Sequence, residues 1–388
     1  MAEYPKGNWN YPTTMRFGIG RISELADVCR AFGISRPLIV TDPGLAALPM
    51  VSDAVAVNNS AGLKTGVFSN IKPNPVGKNV NEGVQVYRDG GHDGVIAFGG
   101  GSGLDTGKAV ALMAGQTRPL WDFEDVGDNW TRADADAIPP IIAVPTTSGT
   151  GSEVGRASVI ANEETHRKLI IFHPKMMPSA VICDPKLVAG LPPHITAATG
   201  MDALAHCLEA YSAPGYHPMA DGIAVEGMRL IQEWLPKAVD DGSDLDARSH
   251  MMSAAAMGAT AFQKGLGAVH SLSHPVGAIY DTHHGLTNAV FMPYVMMFNR
   301  PAIEDRLERL ARYLGHRNPG FTSVFDWVME LRERFNVPHT AAELGVEASR
   351  VEEISVMAEA DPSTGGNPVP AGAAEMRQML EAAIEGRL

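Results

Sequence analysis

The chain has 388 residues, which is long for one hydrophobic core and favours two domains. Apolar residues make up 45% of the chain and charged residues 19%, as is ordinary for a folded globular protein, so these values disfavour intrinsic disorder. The formal net charge of −13 disfavours binding to nucleic acid or to anionic lipid.

The N-terminal and cysteine patterns indicate a cellular compartment. The opening sequence, MAEYPKGNWNYP, carries neither the basic start nor the apolar stretch of a signal peptide, and no later stretch offers about 18 uninterrupted apolar residues. We therefore expect a cytoplasmic protein without a membrane segment. Cys29, Cys183 and Cys207 are widely spaced and odd in number, so they predict neither a disulfide framework nor a thiolate zinc site.

The first half of the chain alternates between two patterns. Short runs rich in β-branched residues predict buried strands, and helical patterns such as residues 22–32 and 79–90 lie between several of them. The predicted strands are residues 36–41, 65–68, 93–98, 141–144 and 180–183. This alternation predicts a parallel sheet that is covered by helices on both faces.

After about residue 191 the strand pattern stops and apolar residues follow the helical period. Two stripes predict core-facing helix surfaces, and they end before Gly315 and Pro338 respectively. The stripes are Ile303, Leu307, Leu310 and Leu314, then Val324, Val328, Leu331 and Phe335. The sequence therefore predicts an α/β domain over residues 1–190 and an all-helical domain over residues 191–388.

A glycine-rich turn follows the predicted strand that ends at Phe98. Residues 99–109 read GGGSGLDTGKA and lead into a helical pattern at residues 110–113. Glycines allow a ligand to approach the backbone closely, and a helix N-terminus attracts phosphate, so a pyrophosphate fits this turn. The spacing matches neither the dinucleotide fingerprint nor the phosphate loop, so a plain structural turn remains the alternative.

Two further segments follow predicted strands. Asp42 stands where an acidic side chain can bind ribose hydroxyls and repel a 2′-phosphate, which favours NAD over NADP. Alternatively, Asp42-Pro-Gly only starts a turn. Residues 145–153, PTTSGTGSE, place hydroxyls and backbone amides at a strand end, where open α/β sheets bind ligands. The alternative is a polar loop in which Ser152 and Glu153 begin a helix.

Histidines and a carboxylate recur in the helical half. Asp202 and His206 are four residues apart, so they project from one face of a helix. A second pair, His270 and His274, is followed by a His-His-Gly sequence at residues 283–285. Imidazole and carboxylate ligands suit zinc or ferrous iron, whereas magnesium and calcium prefer oxygen alone. Histidines that fall on amphipathic helices by coincidence are the alternative.

Taken together, these motifs resemble the iron-containing alcohol dehydrogenase family. The resemblance runs nearly end to end, through residues 73–75, 99–108, 145–150, 198–203 and 270–293. It implies a Rossmann-like dinucleotide-binding domain of α/β class and an all-α metal-binding domain, an architecture similar to that of dehydroquinate synthase. It also implies a catalytic metal in the cleft between the domains.

The resemblance assigns individual residues as well. It places the metal ligands at Asp202, His206, His270 and His284, the last chosen over His283 because the histidine of the family directly precedes glycine. His274 matches a histidine that lines the substrate and nicotinamide region, so it is the candidate for moving a proton and not a ligand. The implied NAD contacts are Asp42, Asn74, Gly100, Gly101, Ser102, Asp105, Thr146, Thr147, Thr150 and Lys168.

Two positions depart from the family pattern. Ala157 stands where some members place an asparagine near the nicotinamide. The tail at residues 367–370, NPVP, lacks the arginine that commonly follows Asn-Pro. The substrate pocket has no sequence motif, and Phe172, Phe262 and His166 are the side chains offered for it.

The predicted function is hydride transfer between NAD and a small primary alcohol or its aldehyde. A metal acts as a Lewis acid on the substrate oxygen, and the resemblance favours Fe²⁺ while leaving Zn²⁺ open. A homodimer or a higher homo-oligomer is expected. Two rival functions are a non-redox lyase of phosphate substrates, which resembles dehydroquinate synthase, and an NAD-binding protein without catalysis.

Overall fold

The structure is a computed structural model and describes residues 7–9, 13–165 and 167–388. His166, a candidate for the substrate pocket, lies outside the described residues. So do residues 1–6 and 10–12, which belong to the N-terminal segment that lacks the pattern of a signal peptide. The chain forms two compact units. The first extends to Leu191 and includes Ser243–Met252, and the second comprises Pro192–Gly242 and Ser253–Leu388.

The first unit is built on a seven-stranded sheet with the order β1-β2-β9-β6-β5-β3-β4. Its pairings are parallel except for the antiparallel pair of β1 and β2. Strands β7 and β8 form a separate antiparallel pair. The strands are β1 Gly7–Trp9, β2 Thr14–Phe17, β3 Pro37–Val40, β4 Gly66–Phe68, β5 Gly94–Gly99, β6 Ile141–Pro145, β7 Ala157–Asn162, β8 Arg167–Phe172 and β9 Ala180–Cys183.

The central strands of the sheet are the ones that the apolar runs in the sequence predict. Every residue of β3, β5, β6 and β9 is buried, as expected for strands covered on both faces. The five predicted strands correspond to β3, β4, β5, β6 and β9, and the predicted parallel sheet is confirmed. Strands β1, β2, β7 and β8 were not predicted. In β2 and β7 buried residues alternate with half-buried ones, so neither forms a continuous apolar run.

Among the described residues up to Leu191, five α-helices accompany the sheet, and the fifth begins earlier than predicted. They are α1 Leu25–Ala31, α2 Pro43–Ala46, α3 Pro49–Ser60, α4 Gly77–Asp89 and α5 Gly101–Met113. The sequence pattern predicts a helix only from Val110, but the glycine-rich segment itself forms the first turns of α5. Glycine is needed there because a Cβ on Gly107 would lie 2.6 Å from the Ala97 Cβ, and one on Gly103 would lie 3.0 Å from the Phe98 carbonyl oxygen.

The second unit is helical throughout, which confirms the predicted all-α domain. Helix α8 begins in the segment grouped with the first unit and ends in the second. The helices are α6 Pro193–Ser212, α7 Pro218–Asp240, α8 Leu245–Ala261, α9 Ala268–Tyr280, α10 His284–Tyr313, α11 Phe321–Arg334, α12 Val351–Glu359 and α13 Ala373–Glu385. Both predicted stripes are buried, except that Phe335 lies just beyond α11 and is half-buried.

None of the described helices combines the length and the apolar character that crossing a bilayer requires.

Candidate metal and dinucleotide sites

Helix α6 carries the first part of a buried cluster in the second unit. Its residues from Thr196 to Ser212 are all buried, so the polar side chains within this span are withdrawn from water. Asp202 and His206 are one turn apart and are 2% and 4% exposed. His270, near the start of α9, is 1% exposed, and one ligand atom from each of these three residues lies within 4.8 Å of the others.

His284 stands beside this group as the first residue of α10. Its Nε2 lies 3.7 Å from Asp202 Oδ1, and its ring centroid lies 5.3 Å from that of His270. The next residue, Gly285, permits the close approach, because a Cβ there would lie 2.3 Å from the Ala198 carbonyl oxygen. The four predicted ligands are thus neighbours in one unit.

His283 has a different contact. Its Nδ1 accepts a hydrogen bond from the backbone N–H of Leu286 and so caps the N-terminus of α10. The side chain is exposed, in contrast to the three buried residues of the cluster. His283 therefore has a structural role as a helix cap, which agrees with its omission from the predicted ligands.

Glu209 is a member of the site that sequence reasoning missed. One carboxylate oxygen accepts the Val269 N–H at 2.8 Å, and the other pairs with Nδ1 of His270. Burial by itself would lower the pKa of His270, but the nearby carboxylates, led by Glu209, raise it above its ordinary value. A carboxylate that holds the proton on Nδ1 leaves Nε2 available for a metal ion. The detectable signal was spacing, since Glu209 follows His206 by three residues on the same helix face.

Asn288 was missed too. It lies one turn after His284 on α10 and is fully buried. Its Nδ2 lies 2.8 Å from Asp202 Oδ1 and 3.2 Å from Nε2 of both His270 and His284. One amide nitrogen therefore faces three of the four predicted ligands.

His274 has a carboxylate partner, Asp361, which comes 87 residues later in the chain. His274 Nδ1 lies 2.8 Å from Asp361 Oδ2, and the His274 ring stacks on that of His284 with centroids 5.5 Å apart. Burial by itself would raise the pKa of Asp361, but the partner histidine and the bond from the Ser363 N–H lower it overall. No periodic pattern in the sequence links these two residues.

The donor set of this cluster fits a divalent transition metal. One carboxylate and three imidazoles supply mixed oxygen and nitrogen ligands, which suit zinc or ferrous iron better than magnesium or calcium. A buried carboxylate among imidazole lone pairs is costly without a cation to compensate it. The chemistry of these residues is thus consistent with a metal site.

The glycine-rich turn of the first unit brings together four of the predicted cofactor residues. A Cβ on Gly100 would lie 2.9 Å from a methyl carbon of Thr147, and one on Gly101 would lie 2.8 Å from that of Thr150. Gly100 is also the N-cap of α5 and offers no side chain to occupy the helix N-terminus. Backbone N–H groups at the end of a parallel strand can therefore receive a phosphate.

The remaining predicted cofactor residues make protein contacts nearby. Asp42 Oδ1 accepts the Leu45 N–H at 3.0 Å, so Asp42 does start a turn, whatever its other oxygen binds. The other contacts are Lys168 Nζ to Asn74 Oδ1 at 2.8 Å, the Ser102 hydroxyl to the Pro73 carbonyl, and the Thr146 N–H to the Gly99 carbonyl at 3.0 Å.

Asp105 and Lys108 form an internal polar network. The Asp105 carboxylate accepts from Ser152 Oγ at 2.5 Å and from the Val159 N–H at 2.9 Å, and it lies 3.3 Å from Lys108 Nζ. Burial lowers the pKa of Lys108 in spite of Asp105. Lys108 also donates to the carbonyl of Ala157, the position that departs from the family pattern. Asp105 thus ties α5 to β7, and its contact with NAD stays a prediction.

The other departure, in the tail, centres on a structural asparagine. Asn367 is buried, and its Oδ1 accepts from the Ala268 N–H at 3.1 Å and from Asn299 Nδ2 at 2.8 Å. It therefore secures the first turn of α9, the helix that carries His270 and His274.

A helix N-terminus at the end of a parallel strand suits a dinucleotide, and a buried aspartate–histidine cluster suits a metal ion, so the two features are consistent with the class of metal-dependent dehydrogenases. Comparison with family models makes the assignment specific. A model described as "Iron-containing alcohol dehydrogenase" matches residues 12–185, and one described as "Fe-containing alcohol dehydrogenase family, C-terminal" matches residues 196–384. The chain belongs to the iron-containing alcohol dehydrogenase family.

Individual relatives agree with this assignment. The chain is 40% identical to the 4-hydroxybutyrate dehydrogenase of Cupriavidus necator over 96% of this chain and 98% of that one. It is 36% identical to the NAD-dependent methanol dehydrogenase of Bacillus methanolicus, over 97% and 100% respectively. The solved structure of a 1,3-propanediol oxidoreductase matches with a TM-score of 0.91 at 32% identity, over 99% and 100%. The predicted family, fold class and alcohol dehydrogenase activity are confirmed, and neither rival function is favoured.

Proposed function

We propose that the protein is an NAD-linked, metal-dependent dehydrogenase of small primary alcohols, which also reduces the corresponding aldehydes. The metal ligands in this proposal are Asp202, His206, His270 and His284, with Fe²⁺ favoured by family membership and Zn²⁺ compatible with the donor set. The observation that carries the proposal is the buried cluster itself, with three of these residues offering ligand atoms within 4.8 Å of one another.

The proposal gives each group of residues a separate task. When bound, the divalent ion would supply a Lewis acid for the substrate oxygen, and NAD would supply the hydride acceptor. The N-terminus of α5 binds the pyrophosphate, and Asp42 accepts hydrogen bonds from ribose hydroxyls. His274, held at Nδ1 by Asp361, accepts the proton that the alcohol hydroxyl releases.

The remaining cofactor contacts are proposed on the family resemblance. Gly100, Gly101, Thr147 and Thr150 have the strongest support, because they surround the start of α5. Asn74 and Lys168 are supported by their mutual hydrogen bond. Ser102, Asp105 and Thr146 make protein contacts, so their part in NAD binding rests on the resemblance alone.

The substrate class follows from the relatives and from the surroundings of the metal ligands. The names of the two relatives and of the solved structure refer to 4-hydroxybutyrate, methanol and 1,3-propanediol, all of which carry a primary alcohol. The ring of Phe262 lies 5.1 Å from that of His206, which gives the ligand cluster an apolar neighbour. A short primary alcohol is therefore the proposed substrate. Cytoplasmic location and assembly into homodimers or larger homo-oligomers stay predictions.

The test compares purified protein before and after chelation, with Fe²⁺ or Zn²⁺ added back and a panel of short alcohols. NADH absorbance reports turnover, and metal content is measured on the same samples. We expect chelation to abolish NADH production and one of the two metals to restore it. Full activity in metal-free protein would contradict the proposal.

A matched pair of variants localises the effect. His270→Ala should lose both bound metal and activity. His217→Ala is the control, because His217 is not part of the ligand cluster and caps α7 by accepting the Ala220 N–H at 3.2 Å. This variant should keep both the metal and the activity.

A further inference from the structure

Asn288 is a buried polar residue whose side chain contacts the predicted metal ligands. The side chain is fully buried on α10, and its amide nitrogen lies within hydrogen-bond distance of Asp202, His270 and His284. Its carbonyl oxygen is buried without a hydrogen-bond partner among the described residues. Leaving a buried amide oxygen without a hydrogen-bond partner is destabilising. The side chain therefore contacts the ligand cluster through its amide nitrogen, while its amide oxygen goes without a hydrogen bond.

The orientation of the amide follows from its neighbours. Glu209 accepts the proton of His270 Nδ1, so Nε2 of that ring carries a lone pair when it serves as a metal ligand. The Asp202 carboxylate presents acceptors as well. An amide oxygen 2.8 Å from a carboxylate oxygen would be repelled, so the NH₂ end must face the cluster.

The NH₂ group has two hydrogens for three acceptors. The contact to Asp202 is the shortest, at 2.8 Å against 3.2 Å for each imidazole. Lone pairs on imidazole nitrogen that bind a metal ion are not available to accept a hydrogen bond. The bond to Asp202 is therefore the one compatible with a loaded site.

We propose that Asn288 is a positioning residue of the metal site, whose amide donates to the Asp202 carboxylate and holds it facing the histidine ligands. The inference rests on the proposed function, because it takes the cluster to be a metal site. A carboxylate held in place loses less rotational freedom on binding, and removing such an outer partner typically lowers metal affinity about 10- to 100-fold.

Two substitutions give opposite expectations. Asn288→Ala removes the donor and frees the carboxylate, so affinity for a divalent ion should fall about 10- to 100-fold. Asn288→Asp keeps the shape but replaces the donor with an anionic oxygen ligand, so affinity should rise and the coordination number should increase. A role confined to packing would leave the metal affinity and the coordination number of the isosteric Asn288→Asp unchanged.

The experiment uses Co²⁺ as the probe on full-length, metal-depleted protein. Competition with a chromogenic chelator gives the dissociation constant, and the visible d–d bands of Co²⁺ report its coordination number. Asn58→Ala is the control, because Asn58 is an equally buried asparagine on α3 in the other unit. It should match the wild-type protein in both measurements.

The expected result is weaker Co²⁺ binding by Asn288→Ala, with tighter binding and weaker d–d bands for Asn288→Asp. Wild-type affinity and spectrum in Asn288→Ala would overturn the inference while the metal site stands. If Asn288→Ala does not fold, the isosteric Asn288→Asp decides, and an unchanged affinity and spectrum would overturn the inference. Failure of the wild-type protein to bind Co²⁺ would overturn the proposed metal site and the inference together.

Discussion

Replacing Glu209 by glutamine removes the charge that holds the ring of His270 while keeping the size of the side chain. The carboxylate is 6% exposed and accepts two hydrogen bonds, from the Val269 N–H and from His270 Nδ1. A glutamine oxygen can still accept from Val269, but its NH₂ group would then face the N–H of the imidazole. The ring must lose that bond or move its proton to Nε2, the nitrogen required for the metal.

The size of the effect follows from the hydrogen bond that is lost. A bond to a charged group contributes about 1.5–3 kcal/mol, and screening is small at a site so deeply buried. Since about 1.4 kcal/mol corresponds to a factor of ten, the dissociation constant for a divalent ion should rise about 10- to 100-fold. Glu209→Asp keeps the charge on a shorter side chain, so its dissociation constant should lie between those of the wild type and Glu209→Gln.

The assay is Co²⁺ competition with a chelator, combined with ¹⁵N NMR of the histidine rings to report which nitrogen carries the proton. Glu375→Gln is the control, because its carboxylate also accepts a backbone N–H, that of Gly372 at 2.9 Å, at the start of α13. It should bind Co²⁺ as the wild type does. Wild-type affinity in Glu209→Gln would refute the argument that this carboxylate fixes the tautomer of His270.

Three further predictions concern other groups. Burial raises the pKa of Glu153 to about 7 from its ordinary 4.5, so the unfolded chain holds fewer protons than the folded one between these values, and stability falls as pH rises through them. The free energy of unfolding should fall by about 3 kcal/mol across this pH range. Urea unfolding measured below and above the range should show this loss in the wild type but not in Glu153→Gln. The same pH dependence in both proteins would contradict the assignment to Glu153. Asp42→Asn keeps the cap on the Leu45 N–H but deletes the charge, so kcat/KM with NADP relative to NAD should rise roughly tenfold or more, and an unchanged ratio would exclude charge as the discriminator. Asp361→Asn should lower kcat about 100-fold with metal content unchanged, because the partner of His274 Nδ1 is altered, whereas wild-type kcat would argue against the pair.

Local sequence patterns were sufficient for much of the fold. Strands such as β5 and β6 are buried at every residue, so their apolar runs were readable without knowledge of their neighbours. The hairpin of β7 and β8 pairs outside the main sheet and alternates in burial, which weakened its signal. The sequence also did not predict the early start of α5, because glycine has poor helix propensity. Glycine is required there because α5 packs closely on β5, which only the tertiary structure shows.

The candidate site divides in the same way. Spacing alone predicts that Asp202 and His206 lie on one helix face, and the resemblance to the family adds His270 and His284 as predicted ligands. The tertiary structure alone decided which groups contact this cluster and the neighbouring His274. Glu209 lies beside His270, Asn288 against Asp202 and Asp361 on His274, across 61, 86 and 87 residues of chain respectively. Helical periodicity fixes the direction of a side chain on its own helix, whereas a hydrogen bond between helices depends on how closely and at which register they pack. That information is not present in the spacing of any one segment.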